Sequence, residues 1–271
     1  MTLRRLAVYS AAVVIAAWVV FPLLLITLAA FTPREALYAW PRAIWPARFT
    51  LRTLGTFLQS ADVVQSTWNS LAVAGMTIGL AFLISAPAAY ALARYRFRGR
   101  EAVQFFVLAT KMFPAAILAV PLAVAFIRWG LYDTLVGVAL VHTALAVPFV
   151  MTMVTGIFLA VSYELEEAAM TLGTNRLGAV VRITLPMALP GLAAAGIFTF
   201  ITSWNEVFAA SILTVDHRTL PALILNAVIG SGGGAPLDFR FAGGFFMIVP
   251  ALVIMLLIRR YLLTLWGVAL R

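Results

Sequence analysis

The stretch 163-YELEEAAMTLGTNRLGAVVRITLPMALP-190 is the longest polar interruption of this apolar sequence that also carries a helical pattern. Small and apolar residues recur in it at helical spacing: Leu165, Ala168, Ala169 and Leu172. This spacing predicts a short amphipathic helix, which the acidic residues at its start favour through the helix dipole. Gly173 is suited to a left-handed cap that ends this helix, and a second short helix is predicted over residues 175–183. Pro186 and Pro190 then mark the return of the chain to an apolar segment.

The composition places the chain among membrane proteins. Its 271 residues are 63% hydrophobic and 11% charged, and its mean hydropathy is +1.03. Soluble domains are roughly half apolar and about a quarter charged. The formal charge of +9 would suit nucleic acid, but the basic residues lie between apolar runs, where membrane topology explains them better. The chain has no cysteine and only two histidines, which excludes disulfides and leaves little for metal catalysis.

Apolar segments long enough to cross a hydrocarbon core of about 30 Å as helices recur along the chain. Six spans are predicted, at about residues 6–31, 66–94, 101–127, 134–160, 187–212 and 241–263. The arginine-rich link RYRFRGRE, residues 94–101, indicates the cytoplasmic side. The fold class predicted is therefore an all-α polytopic membrane protein, a single domain over residues 1–271. Both termini and the loop between the fourth and fifth spans are expected in the cytoplasm, and residues 32–65 and 214–240 are expected to be external loops.

The residues of the central stretch, taken alone, leave two interpretations open. An amphipathic helix with a charged face can rest on the bilayer surface. Alternatively, a helix with an acidic start and a face of small residues can be the docking surface of a partner protein.

The spacing of particular residues favours the second interpretation. The pattern E-A-A-x3-G-x9-I-x-L-P is carried by Glu167, Ala168, Ala169, Gly173, Ile183, Leu185 and Pro186. It resembles the EAA loop of bacterial ABC importer permeases at every specified position. Further stretches resemble the carbohydrate-type permeases of that group: Asn69-Ser70, AAYALARYRFRG (88–99), Met112-Phe113-Pro114, GLYDT (130–134), Pro148-Phe149 and SWNE (203–206). The likeness covers nearly the whole chain and is nearest to the MalG-like subunit of maltose, trehalose and glycerol-phosphate importers.

The sequence departs from that family at three places. Ser162 stands where the family often has proline, and Leu172-Gly173-Thr174 replaces the usual Asp-Gly-Ala. The chain ends in WGVALR instead of the common GAVKG. Contacts made by the family's C-terminal tail are therefore not transferred to this chain.

The resemblance implies a non-catalytic permease subunit of the bacterial inner membrane, surrounded by lipid. It implies as partners a second homologous, MalF-like permease, two ATPase subunits and an external solute-binding protein, with no role for nucleic acid. The coupling loop, residues 163–186, would dock on an ATPase, with Glu167 pairing with a basic residue there. No G-x-x-x-x-G-K-[ST] motif occurs in the sequence, so ATP and Mg²⁺ are expected on the ATPase, with no cofactor on this chain.

The cargo expected from the resemblance is a di- or oligosaccharide of the maltose or trehalose type. Glycerol-3-phosphate or another polar solute is the alternative for the same machinery. An ion-coupled secondary transporter is the alternative of a different class, although it normally needs internal repeats and buried carboxylates.

Polar residues within or near the spans are candidates for the translocation path: Lys111, Asn69, Asn205 and Glu206. Lys111 is expected about 15 Å deep from the inside and His142 about 12 Å deep from the outside, so the two can share a level in adjacent helices. Both can line the path. Alternatively, Lys111 binds carbonyl groups freed by Pro114, and His142 links helices. Asn205 and Glu206 are expected toward the outer face near Asn69, as an outer gate, a contact for the binding protein or a helix-end network.

Overall fold

A computed structural model describes residues 3–41, 43–60, 62–113, 115–230 and 234–267. Within these ranges every regular element is helical. The α-helices are α1 (Leu3–Ala30), α2 (Arg34–Tyr38), α3 (Arg52–Gln59), α4 (Val63–Arg94), α5 (Arg100–Ala109), α6 (Ala115–Arg128), α7 (Leu135–Ala160), α8 (Tyr163–Thr171), α9 (Arg176–Ala179), α10 (Leu185–Trp204), α11 (Phe208–Leu213), α12 (Leu220–Gly230) and α13 (Leu237–Gly267). A 3₁₀ turn (Thr110–Met112) follows α5, and a π turn (Val180–Thr184) joins α9 to α10.

Five of these helical runs are long and apolar enough to cross a membrane: Arg5–Ala30, Val63–Arg94, Leu135–Ala160, Arg176–Trp204 and Leu237–Leu256. A sixth span results if the bent pair Arg100–Met112 and Ile117–Arg128 is counted as one. The prediction of an all-α polytopic membrane protein is therefore confirmed.

The third predicted span, 101–127, is not one continuous helix. Its two halves meet at an angle of 95°. Phe113 lies between them with the extended angles φ −78° and ψ 119°, the conformation that a following proline imposes on its neighbour. Pro114 itself lies outside the described residues. The sequence predicted one span here, and the structure shows a break between two helices.

The fifth predicted span, 187–212, begins earlier and ends earlier than expected. The second short helix, predicted as a separate element over 175–183, continues without interruption through the π turn into α10, so that the run covers Arg176–Trp204. The run ends before Glu206, whose side chain accepts hydrogen bonds from the backbone N–H groups of Phe208 and Ala209 and thereby starts α11. Carboxylates at helix N-termini satisfy donors that have no partner within the helix.

The loops predicted outside also contain helices. Residues 32–65 hold α2 and α3, and residues 214–240 hold α12, an apolar helix of 11 residues. The sequence indicated loops there because prolines and glycines interrupt both segments.

The chain groups into two compact units, one of residues 1–65 with 223–250 and one of residues 66–222 with 251–271. In the first unit, the ring of Phe57 packs on Phe239 and Phe246, at centroid distances of 4.9 and 5.4 Å. In the second unit, α7 contributes a buried stripe to a core shared with α4 and α10. Gly191 of α10 lies so close to Ile157 of α7 that a Cβ atom would stand 2.8 Å from two of its carbons. The candidate site lies in this second unit.

Candidate coupling site

The helix α8 ends in two backbone hydrogen bonds that require a residue with positive φ. The N–H of Gly173 bonds to the carbonyl of Met170 at 3.0 Å, and the N–H of Thr174 bonds to the carbonyl of Ala169 at 3.1 Å. Gly173 has φ +90°, a conformation that costs glycine little and other residues more. The predicted glycine cap is therefore confirmed. Asn175 then caps α9 by accepting the N–H of Gly178 at 2.7 Å.

The coupling loop presents a mixed acidic and apolar surface to its surroundings. Glu167 and Ala168 are exposed on α8. Leu172 and Leu177 are 87% and 72% exposed, although both are large apolar side chains. We call Glu167, Ala168, Leu172 and Leu177 the outer face. Apolar side chains exposed together with a charge are typical of a surface that a partner protein covers.

The remaining residues of the pattern lie elsewhere. Ala169 is buried, Ile183 and Leu185 are half-buried, and Leu185 packs against the core shared by α4, α7 and α10. Pro186 is exposed at the start of α10. The structure thus divides the predicted coupling residues into an outer set and a set that packs the loop onto the spans.

The neighbouring carboxylate, Glu166, was not singled out from the sequence. Its side chain is only 1% exposed. Oε1 accepts from Arg94 Nε at 2.8 Å and from Thr184 Oγ1 at 2.7 Å, and Oε2 accepts from the Tyr90 hydroxyl at 2.7 Å. Burial alone would raise the pKa of this carboxyl, but the hydrogen bonds from Tyr90, Thr184 and Arg94 outweigh it and hold the pKa below its usual range. Glu166 is therefore a buried anion with a complete set of donors.

A second contact ties the coupling loop to the end of α4. The guanidinium of Arg176 donates to the hydroxyl groups of Tyr95 and Tyr163. It also lies 5.2 Å from the centre of the Tyr95 ring, within the range of a cation–π interaction.

Lys111 lines a cavity of about 630 Å³ in the second unit. Its ammonium group donates to the carbonyl of Leu145 on α7 and lies 4.9 Å from the centre of the Phe149 ring. Leu145 is close to one helical turn from His142, in agreement with the prediction that Lys111 and His142 share a level. The carbonyl it binds is not one that Pro114 would free. The cavity is otherwise mostly apolar, with aromatic side chains from Phe113, Phe126, Trp129 and Phe208.

His142 is 2% exposed and connects α7 to the end of α10. Its Nδ1 lies 2.8 Å from Ser203 Oγ, and its Nε2 lies 3.0 Å from Glu206 Oε2. This geometry is that of a link between helices. In the described part of the chain, no group of three His, Asp or Glu side chains is arranged to hold a metal ion.

The structure distributes the other predicted path residues over separate networks. Asn69 donates to the carbonyl of Arg218 at 3.0 Å, in the link between α11 and α12. Asn205 is exposed and donates to the carbonyl of Ile201 at 2.9 Å, at the end of α10. Glu206 belongs to the cluster with His142. Asn69 and Glu206 thus serve different helix ends in this structure.

Asp133 forms a clamp that sequence reasoning also missed. Its Oδ1 accepts the backbone N–H groups of Val215, Asp216 and His217 at 2.8, 3.0 and 3.0 Å. Burial raises the pKa of Asp133, but these N–H donors and the His217 side chain, whose Nδ1 lies 3.4 Å from Oδ2, outweigh it and leave the pKa below its usual range. Asp133 also adopts a left-handed φ of 55°. Asp133 stands in the GLYDT run, residues 130–134, to which the resemblance assigns no individual role.

The comparisons with known proteins agree with this picture. A family model described as "Binding-protein-dependent transport system inner membrane component" matches residues 81–265. The chain is 29% identical over 262 residues to the diacetylchitobiose uptake system permease protein NgcG of Streptomyces coelicolor, covering 95% of this chain and 86% of the relative. It is 31% identical over 194 residues to the trehalose transport system permease protein SugB of Mycobacterium tuberculosis, covering 71% of each chain.

A solved structure shares the fold. It belongs to a bacterial ABC transporter involved in the import of the acidic polysaccharide alginate. The TM-score is 0.78 at 21% identity, covering 95% of this chain and 96% of the other.

Proposed function

Because the chain belongs to the family of binding-protein-dependent transport system inner membrane components, we propose that it is one of two permease subunits of an ATP-driven sugar importer. Its cargo is a di- or oligosaccharide that an external solute-binding protein delivers. The names of two relatives, which refer to diacetylchitobiose uptake and trehalose transport, support a sugar of this size. The subunit lies in the bacterial plasma membrane with both termini in the cytoplasm.

The outer face of the coupling loop is the observation that carries this proposal. Glu167 offers a charge to a basic residue of an ATPase, and the exposed Leu172 and Leu177 offer apolar area beside it. ATP and Mg²⁺ bind to that separate ATPase. Closure of the ATPases acts on the loop and shifts the spans between inward-open and outward-open states. Such a shift requires a contact whose free energy differs between the two states, so a loosely held loop would transmit nothing.

The path for the solute forms between this chain and a second, MalF-like permease. Lys111 is the strongest of the path candidates because it carries a charge into a cavity at span depth. Asn69, Asn205 and Glu206 stay candidates for the outer part of the path. The charge of Lys111 also favours a second candidate cargo, glycerol-3-phosphate or another anionic solute.

Substitution of Glu167 tests the coupling role. Glu167→Lys reverses the charge on the outer face, so we expect the ATPase to be lost from the purified complex and uptake to be abolished while membrane insertion continues. Glu101→Lys is the matched control, because Glu101 is an exposed carboxylate in the first turn of α5. Normal solute-stimulated ATP hydrolysis in the Glu167→Lys complex would contradict the proposal.

A binding screen tests the cargo. The solute-binding protein that works with this subunit should bind a di- or oligosaccharide. Binding of glycerol-3-phosphate with no sugar bound would favour the second candidate.

A further inference from the structure

We propose that Glu166 is a positioning residue that fixes the coupling loop to three spans, so that displacement of the outer face moves the spans with it. This inference rests on the proposed function, since it concerns how a push from an ATPase is passed on. It assigns separate roles to two adjacent carboxylates: Glu167 contacts the ATPase, and Glu166 contacts the membrane spans.

The two carboxylates point in different directions for a simple geometric reason. Adjacent residues on an α-helix project about 100° apart. Glu167 is exposed, whereas Glu166 is 1% exposed and is directed at the spans. The helix α8 has only nine residues, so one short rigid element carries both contacts.

The carboxylate of Glu166 and its partner Arg94 connect the ends of three helices. Tyr90 and Arg94 belong to the last turns of α4, and both donate to it. Thr184 belongs to the π turn that leads into α10 and donates to the same oxygen as Arg94. Arg94 extends the network to α7, because its Nη2 also donates to the carbonyl of Val161 at 3.0 Å. Glu166 therefore ties the coupling helix to the cytoplasmic ends of α4 and α10, and Arg94 adds the end of α7.

The chemistry of the network suits transmission better than it suits stability. A buried ion pair contributes little net stability compared with apolar residues of the same shape, because both ions lose their hydration. Hydrogen bonds are directional, however, whereas apolar side chains can slide past one another. The side chains of Arg94 and Glu166 are 5% and 1% exposed, with Nη2 of Arg94 2.7 Å from Oε1 of Glu166. Water therefore does not loosen the pair when the loop is pushed.

The experiment uses the complete transporter in proteoliposomes with its solute-binding protein. The variants are Glu166→Gln, Arg94→Met and the double variant, with Glu101→Gln as an exposed control. Three quantities are measured: the amount of ATPase bound, the rate of ATP hydrolysis and the solute taken up per ATP.

Glu166→Gln is expected to keep the ATPase bound and to lower the solute taken up per ATP by about tenfold, a change typical of lost coupling between two sites. Arg94→Met leaves a buried carboxylate without its cation, so of all the variants it should give the smallest amount of assembled complex. Adding Glu166→Gln to it should restore the amount of complex but not the uptake per ATP, because the two residues act as a unit.

The other outcomes are equally clear. If uptake and hydrolysis fall together in Glu166→Gln, so that uptake per ATP stays normal, the network is only structural and the inference is wrong. If Glu166→Gln loses the ATPase, Glu166 belongs to the docking surface and the inference is also wrong. A failure of the proposed function looks different, because the unaltered complex would then bind no ATPase or import no solute.

Discussion

Replacing Asp133 with alanine should open the clamp between the α6–α7 link and residues 215–217. Three backbone N–H groups lose their acceptor. Each such bond contributes about 0.5–1.5 kcal/mol net. Because residues 215–217 are exposed, water replaces part of the loss, and we expect a local cost of about 2 kcal/mol. This corresponds to an opening about 30 times more frequent.

Hydrogen exchange measures this opening directly. In nanodiscs, the amides of residues 215–217 should exchange about 30 times faster in Asp133→Ala than in the unaltered chain. Asp133→Asn keeps the Oδ1 acceptor and tolerates a left-handed φ. It should lose the charge assistance and the contact of Oδ2 with His217 Nδ1 at 3.4 Å, and exchange roughly five times faster. Asp216→Asn is the control, because the side chain of Asp216 is exposed and only its backbone joins the clamp.

The stability that the Asp133 clamp gives to residues 215–217 should decrease at acidic pH. The pKa of Asp133 is lower in the folded protein than its ordinary value, so the clamp contributes fully above the unfolded pKa of about 3.9. The contribution is lost as the pH falls through the folded pKa, below that value. Protection of residues 215–217, corrected for intrinsic exchange, should therefore be constant down to about pH 5 and decline only below about pH 4. Equal exchange in Asp133→Ala and the unaltered chain would refute this reasoning.

Two further substitutions test the membrane part. Gly191→Ala places a Cβ atom 2.8 Å from Ile157, which should cost about 1–3 kcal/mol of stability through overpacking and lower the thermal midpoint of the detergent-solubilised protein. Gly156→Ala on α7 meets no atom within 4 Å and should leave the midpoint unchanged or higher, whereas equal effects of the two would contradict the close approach of α7 and α10. Lys111→Met removes the charge from the cavity, and we expect slower uptake by a fully assembled complex. Unchanged uptake rate and affinity would contradict a role of Lys111 in the path and leave it the structural role of binding the Leu145 carbonyl.

Local features of the fold could be predicted from the sequence because they depend on local chemistry. Long apolar runs predict spanning helices, and Gly173 predicts the end of α8. The break at Phe113 was underestimated, since a proline in a membrane helix can produce either a kink or a full break, depending on neighbours that the sequence does not locate. The early end of α10 depends on Glu206, whose carboxylate starts a new helix.

The candidate site was predictable only in part. The pattern identified the coupling loop, but it could not show which of Glu166 and Glu167 turns inward. That choice depends on Tyr90 and Arg94, 76 and 72 residues away in the sequence. The Asp133 clamp was missed for the same reason, because its donors lie at least 82 residues along the chain.

Because the π turn at Val180–Thr184 lies in a continuous helical run, the number of residues between Gly173 and Ile183 determines how the coupling loop is rotated about the axis of α10. A π turn accommodates an extra residue within an otherwise α-helical run. Deleting that residue would turn the segment into ordinary α-helix and keep its two ends in phase, whereas deleting one residue more would rotate everything before the turn by about 100° around the axis of α10. The carboxylate of Glu166 would then leave its donors, and the outer face would present a different side. The side chains of the loop therefore supply the contacts, and the number of residues sets the direction in which these side chains face the ATPase and the spans.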